Sequence, residues 1–209
     1  MRILIFGASG ATGQELTKQA LSKGHMVTAF VRTPSKLKMQ HENLNVVQGN
    51  VADFKIVDNT IRGHDAVLSA LGASSPFTYD HAVVEGLSNI VNAMEAHGVR
   101  KLVYMSFVGV KESRDSAGFV IKYIAPKLLS TEIKGHEVRE RRIRDCALEW
   151  TIVRPPTLTN GKHTAQFRVN EGIKTQGFTV TISRADVADC MLRQLTSQTF
   201  LRKTPSVMY

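Results

Sequence analysis

The chain has 209 residues, 43% of them hydrophobic, and a formal net charge of +9. Length and composition suit one domain with a full α/β core, and no apolar run approaches the roughly 18 residues that a membrane span needs. One basic residue and a four-residue apolar stretch at the N-terminus do not read as a signal peptide, so the expected setting is cytoplasmic, with no membrane partner.

The first element is the apolar run Ile3 to Phe6, which breaks into glycines at 7, 10 and 13. A buried strand, a tight turn and a helix N-terminus in that order make a site for a dinucleotide pyrophosphate. Gly7 lets the chain turn sharply, Gly10 lets backbone approach phosphate, and Gly13 lets the helix pack close to the strand. The spacing predicts a helix over Gln14–Lys23, with Leu16, Ala20 and Leu21 on one face and Gly24 as its stop.

A second strand follows, Met26–Val31, and Arg32 stands directly after it. An acidic residue near this place binds the ribose 2′-hydroxyl of NAD, whereas an arginine accommodates a 2′-phosphate. No Asp or Glu lies between Glu15 and Glu42, while Ser35, Lys36 and Lys38 add a hydroxyl and positive charge. The cofactor expected is therefore NADPH/NADP+.

Next come a third strand, Leu44–Gln48, and a short helix around Asp53–Arg62 with Ile56, Val57 and Ile61 inward. Asp65–Leu71 is a fourth strand, ending at Gly72. A long helix, His81–His97, carries Val84, Leu87, Val91 and Met94, and Lys101–Ser106 is a fifth strand. The stretch Ile121–Cys146 reads as mostly helical, with Pro126 as a break or first-turn residue. Trp150–Val153 is a sixth strand, stopped by Pro155-Pro156; a short strand, Phe178–Ile182, and a helix from about Ala185 to Leu195 close the chain. Such alternation predicts a doubly wound parallel sheet with a cofactor across the carboxyl ends of its strands. The residues just past each strand are then the functional shortlist: Arg32, Asn50, Leu71–Ser74, Ser106–Val110 and Pro155–Thr159.

Cys146 and Cys190 fall in predicted helices, with no CxxC and no His/Cys cluster; they read as reduced packing residues, and no metal site is expected. The positive residues are scattered apart from Arg139–Arg144, which reads most simply as a solvated helix face. Nucleic acid is not an expected partner; a field favouring a polyanionic cofactor or an acidic substrate is.

The motif Gly7-Ala-Ser-Gly-Ala-Thr-Gly13 resembles that of the short-chain dehydrogenase/reductase superfamily in its atypical, NAD(P)H-binding branch. Val47–Val51, Glu85–Val99 and Ser183–Thr196 are similar to segments of the biliverdin-IXβ reductase/flavin reductase family, over nearly the whole length. The resemblance implies a Rossmann-type single domain, often a monomer, that transfers hydride from NADPH to flavins or linear tetrapyrroles. A small C-terminal segment, about 155–209, would cover the substrate. Carried over by position, Gly7, Ser9, Gly10, Ala11 and Thr12 would cradle the pyrophosphate. Arg32, Ser35 and Lys36 would meet the 2′-phosphate. Asn50, where the family usually has Asp, and Val51 would border the adenine, with Leu71 and Gly72 along the cofactor. Ser106 would sit beside the nicotinamide, and His136 matches a family histidine. After Pro155-Pro156 the family has a histidine over the active site, and this chain has Thr157. The change bears on tetrapyrrole reduction more than on flavin reduction, which mainly requires a stacked ring near the nicotinamide.

Ser106 can polarise a substrate carbonyl, or simply cap a strand end. His136 can position or protonate substrate, or be a surface helix histidine. Tyr123 and Lys127 have a Tyr-x-x-x-Lys spacing, with Pro126 between them. Two functions follow: an NADPH-dependent reductase of flavin, quinone-like or tetrapyrrole acceptors, acting as a monomer or small homo-oligomer, and a non-catalytic NADP(H)-binding redox sensor similar to NmrA-like regulators. A sugar epimerase or dehydratase would need a secure Tyr-Lys pair and more than the about fifty residues after the sixth strand.

Overall fold

A computed structural model describes residues 1–73, 79–110, 123, 130–173 and 180–209. Six strands, β1 (Arg2–Phe6), β2 (Met26–Val31), β3 (Leu44–Gln48), β4 (Ala66–Ser69), β5 (Lys101–Met105) and β6 (Glu149–Val153), form one sheet in the order β3-β2-β1-β4-β5-β6. Every neighbouring pair is parallel. The order reverses between β1 and β4, and the crevice outside their carboxyl ends is where a doubly wound sheet takes its ligand.

Helices cover both faces because the strands alternate. Ile3 and Ile5 of β1 face one core with Val27 and Ala29, against Leu16 and Ala20 of α1 (Ala11–Ser22) and Val187, Ala188 and Met191 of α5 (Arg184–Arg193). Leu4 and Phe6 face the other. There Val57 and Ile61 of α2 (Phe54–Ile61), Leu87, Ile90, Val91 and Met94 of α3 (His81–Ala96) and Ile143 of α4 (Ser130–Arg144) close over Val67, Leu102 and Ile152. A one-residue shift in any strand would exchange the two sets. On α3 the buried stripe runs through Val83 rather than the expected Val84, which is half-buried.

After β6 the chain makes short pieces: β7 (Thr157–Thr159) pairs with β9 (Thr181–Ser183), and β8 (Arg168–Asn170) pairs with β10 (Ser206–Met208). Their three-residue length gives no readable alternation, which is why β7, β8 and β10 are not among the predicted elements. The segment is fastened through Asp186 on α5, whose carboxylate accepts from the Tyr209 hydroxyl (2.7 Å), the Thr164 amide and hydroxyl and the Ala165 amide. Burial alone would raise this carboxyl, but those hydrogen bonds outweigh it and hold it at about 2.

Cys190 lies in α5, where burial pushes its thiol up to about 12. Cys146 is a correction: it sits in the turn after α4, buried, with its thiol donating to the Ile143 carbonyl. Among the described residues no helix is long and apolar enough to cross a membrane.

Candidate functional site

At the carboxyl end of β1 the chain turns through Gly7, whose φ of +77° and a carbonyl only 2.7 Å from where a Cβ would stand both require glycine. Gly13 is packed under this turn: a Cβ there would lie 2.0 Å from the Gly7 carbonyl oxygen. Gly13 therefore sets the approach of α1 to the loop. Helix α1 begins at Gly10 with no side-chain cap and no acidic residue in its first turn, whereas Asp53, Asp80 and Ser183 cap α2, α3 and α5. The first-turn amides of α1 are thus left to an outside acceptor.

Those amides border a cavity of about 700 Å³ along the β1–β4 crevice. Gly7, Ser9, Gly10, Ala11, Thr12, Arg32, Lys36, Asn50, Val51, Leu71 and Gly72 all line it. Gly13 and Ser35 do not, the first because it packs beneath the loop. Arg32 and Lys36 are exposed, and among the described residues neither has a carboxylate partner. The Gln14 amide spans from the Ser9 carbonyl to that of Lys36, joining the glycine loop to the turn after β2. Asn50 is turned partly inward on its own chain, accepting from the Ala52 amide. Val51 is buried against Gly86 of α3, where a Cβ would lie 2.4 Å from Val51 Cγ2.

The uncapped helix start, the glycine cradle and the unpaired cations fit a dinucleotide: anionic oxygens for the amides, and a further phosphate for the cations. Glu132, Leu158 and Arg184 also line the cavity; Leu158 falls in the expected shortlist, within Pro155–Thr159, whereas Glu132 and Arg184 were passed over. Nothing local marks Glu132 or Arg184; only the folding of α4 and α5 brings them to the cavity.

Ser106 and His136 meet, but behind the cavity wall. Both are buried, and Ser106 Oγ lies 3.3 Å from His136 Nδ1. His136 is not a surface histidine: its Nε2 is 3.1 Å from the Glu132 carboxylate, and its Nδ1 is 3.3 Å from the Tyr104 hydroxyl. Burial lowers its pKa, outweighing the Glu132 bond that raises it, so the ring is neutral at pH 7. Nε2–H then donates to Glu132 and Nδ1 accepts from Tyr104, whose phenol burial pushes up to about 12. Glu132 would rise by burial, but the His136 bond and the Arg139 guanidinium bring it below the usual carboxylate range.

The Ser106 hydroxyl proton goes to Glu140, at 2.6 Å. Glu140 is fully buried and also accepts both Arg154 bonds (2.9 and 2.6 Å) and one from Arg144 (3.3 Å). Arg139, 2% exposed, reaches Glu132 (3.0 Å) and the Gly135 and Leu71 carbonyls. The expectation of a solvated face over Arg139–Arg144 is thereby corrected. Arg139 and Glu140 are core residues, because Arg154 after β6 and Glu132 one helical turn-pair earlier supply the partners that burial of charge demands.

Thr157 is exposed at the start of β7, and its neighbour Leu158 lines the cavity instead. Tyr123 is exposed; Lys127 and Pro126 lie outside the described residues, as do 74–78 of the loop after β4, 111–118 after β5 and 178–179 of the predicted strand.

A family model described as NAD(P)H-binding matches residues 7–198. The chain belongs to that family. A (4-alkanoyl-5-oxo-2,5-dihydrofuran-3-yl)methyl phosphate reductase of Streptomyces griseus is 31% identical over 155 residues, 74% of this chain and 47% of that protein. The chain thus spans about half the length of this relative. Two solved structures share the fold at low identity. ChuY, an anaerobillin reductase from Escherichia coli O157:H7, has a TM-score of 0.79 at 18% identity, over 99% of this chain and 96% of that one. A short-chain dehydrogenase/reductase from Veillonella parvula in complex with NADP has 0.78 at 20%, over 99% and 93%. The expected Rossmann-type single domain and the expected NAD(P)H-binding family are borne out.

Proposed function

We propose that the protein is an NADPH-dependent reductase that transfers hydride to a flavin, quinone-like or tetrapyrrole acceptor. The observation that carries the reading is the cavity itself, with an uncapped helix start and two unpaired cations at one part of its lining and Leu158, Arg184 and Glu132 at another. Gly10, Ala11 and Thr12 would hold the pyrophosphate through backbone amides. Arg32 and Lys36, with Ser35 beside them, would hold the 2′-phosphate, and Asn50 and Val51 would border the adenine. Leu71 and Gly72 would run along the remainder. A bound reduced nicotinamide supplies the hydride. The segment after β6 would cover the acceptor, since Leu158 and Arg184 reach the cavity from it. Reductase names among the relatives support this reading at the level of the reaction class.

His136 acts here as a positioning residue, fixing Glu132 at the cavity rim from behind. Ser106, with its proton on Glu140 and its side chain outside the lining, holds α4 to the end of β5. That same geometry favours the second reading, a non-catalytic NADP(H) sensor, because neither Ser106 nor His136 faces the cavity. Following NADPH absorbance with FMN, riboflavin, biliverdin and a simple quinone, and with NADH as control, separates the two. Turnover specific to NADPH establishes the reductase, whereas tight NADPH binding without turnover on any acceptor establishes the sensor.

A further inference from the structure

Glu132 is the one carboxylate on the cavity lining, among the described residues. It stands in the first turn of α4, with its side chain 18% exposed. Its two fixed contacts, His136 Nε2 at 3.1 Å and Arg139 NH2 at 3.0 Å, both fall on Oε1. The fixing partners are themselves held, His136 by the Tyr104 hydroxyl and Arg139 by the Gly135 and Leu71 carbonyls. The result is a carboxylate locked in place from behind and presented to a cavity that, among the described residues, is otherwise lined by backbone, neutral side chains and cations. A fixed, ionised carboxylate accepts hydrogen bonds and donates none. It favours a ligand edge carrying N–H and disfavours one carrying only oxygen lone pairs, whose acceptors would face it without a proton between them.

We propose that Glu132 selects the acceptor by chemical class: it takes the N–H of a cyclic imide or lactam, as in the pyrimidine ring of a flavin, and discriminates against quinones. The inference rests on the reductase reading and narrows its acceptor. Replacing Glu132 by Gln keeps an oxygen for His136 and Arg139 and turns an amide NH2 toward the cavity, which reverses the hydrogen-bonding sense there at nearly constant shape.

The test is equilibrium binding of riboflavin and of its N3-methyl derivative to the NADP+-loaded protein, read by flavin fluorescence, in wild type and in Glu132→Gln. NADP+ binding is measured first, by calorimetry. Methylation is expected to weaken binding to the wild type by about tenfold or more, the contribution of one hydrogen bond to a charged group. Glu132→Gln should bind the two flavins alike, and its kcat/KM ratio of menadione over riboflavin should rise. Equal wild-type affinity for the two flavins, no flavin binding at all, or discrimination retained in Glu132→Gln overturns the proposal. Should the variant fail to fold, the wild-type methylation comparison decides alone. Absence of NADP+ binding is a separate failure, that of the reductase reading itself.

Discussion

The cation-bearing part of the cavity lining and the buried network behind Glu132 handle charge in opposite ways. Where the glycine loop meets the turn after β2, Arg32 and Lys36 stand without acidic partners among the described residues, and α1 begins without a side-chain cap. Where α4 meets β5 and β6, Glu132, His136, Arg139, Glu140 and Arg154 are buried or half-buried and bonded to one another. Groups kept for a ligand are left incomplete by the protein. Groups that hold the fold are completed by it, because an uncompensated buried charge costs several kcal/mol whereas a solvated one costs little.

The contrast can be broken most severely at Glu140. Glu140→Gln leaves Arg154 buried without its carboxylate and should lower unfolding stability by about 3–5 kcal/mol in urea titration. At the cation-bearing part of the lining the effect should fall on binding alone. Arg32→Asp is expected to weaken NADPH by roughly 2 kcal/mol, about thirtyfold, leaving NADH and the unfolding midpoint nearly unchanged; like losses for both cofactors would refute the 2′-phosphate assignment. Gly10→Asp sharpens the point. A Cβ at Gly10 meets the Gly7 carbonyl oxygen at 3.3 Å, a tight contact that the loop must ease by a few tenths of an ångström, and the carboxylate can then cap α1 with a gain of about 0.3 kcal/mol. The same carboxylate occupies the anion site, so calorimetry should show cofactor affinity falling while the melting temperature holds or rises.

The smallest effect is the titration of His136. Its folded pKa lies below 6.5, so the unfolded chain binds the extra proton first as pH falls. Stability therefore drops with falling pH from about 6.5 down to the folded value, and His136→Gln should flatten that stretch of the pH–stability curve. Below it, the lowered pKa values of Glu132 and Asp186 bring further loss, for Asp186 between its ordinary 3.8 and about 2.

The contrast also explains what could be read from the sequence. The glycine loop is local: strand, turn and helix start lie within thirteen residues, and β2 and β3 fall where their apolar runs do. The place of Arg32 on the cavity lining was legible because it depends on position after β2, not on a distant partner. The network on α4 was not legible. Arg139 and Glu140 look like solvent residues until Arg154 is brought beside them by the pairing of β5 with β6, and Glu132 acquires its role only when α4 closes on the crevice. The one available signal was that Ser106 ends the fifth predicted strand and Arg154 directly follows the sixth, which puts two polar groups at the carboxyl edge of one sheet.

Glu140 accepts from Arg144 on its own helix and from Ser106 and Arg154, which directly follow β5 and β6. Across homologues such a junction is expected to behave as a single heritable unit. A change at one member strands the others, so substitutions at these positions should arrive together or not at all. Arg32 and Lys36, whose side chains meet no carboxylate among the described residues, are free to drift one at a time.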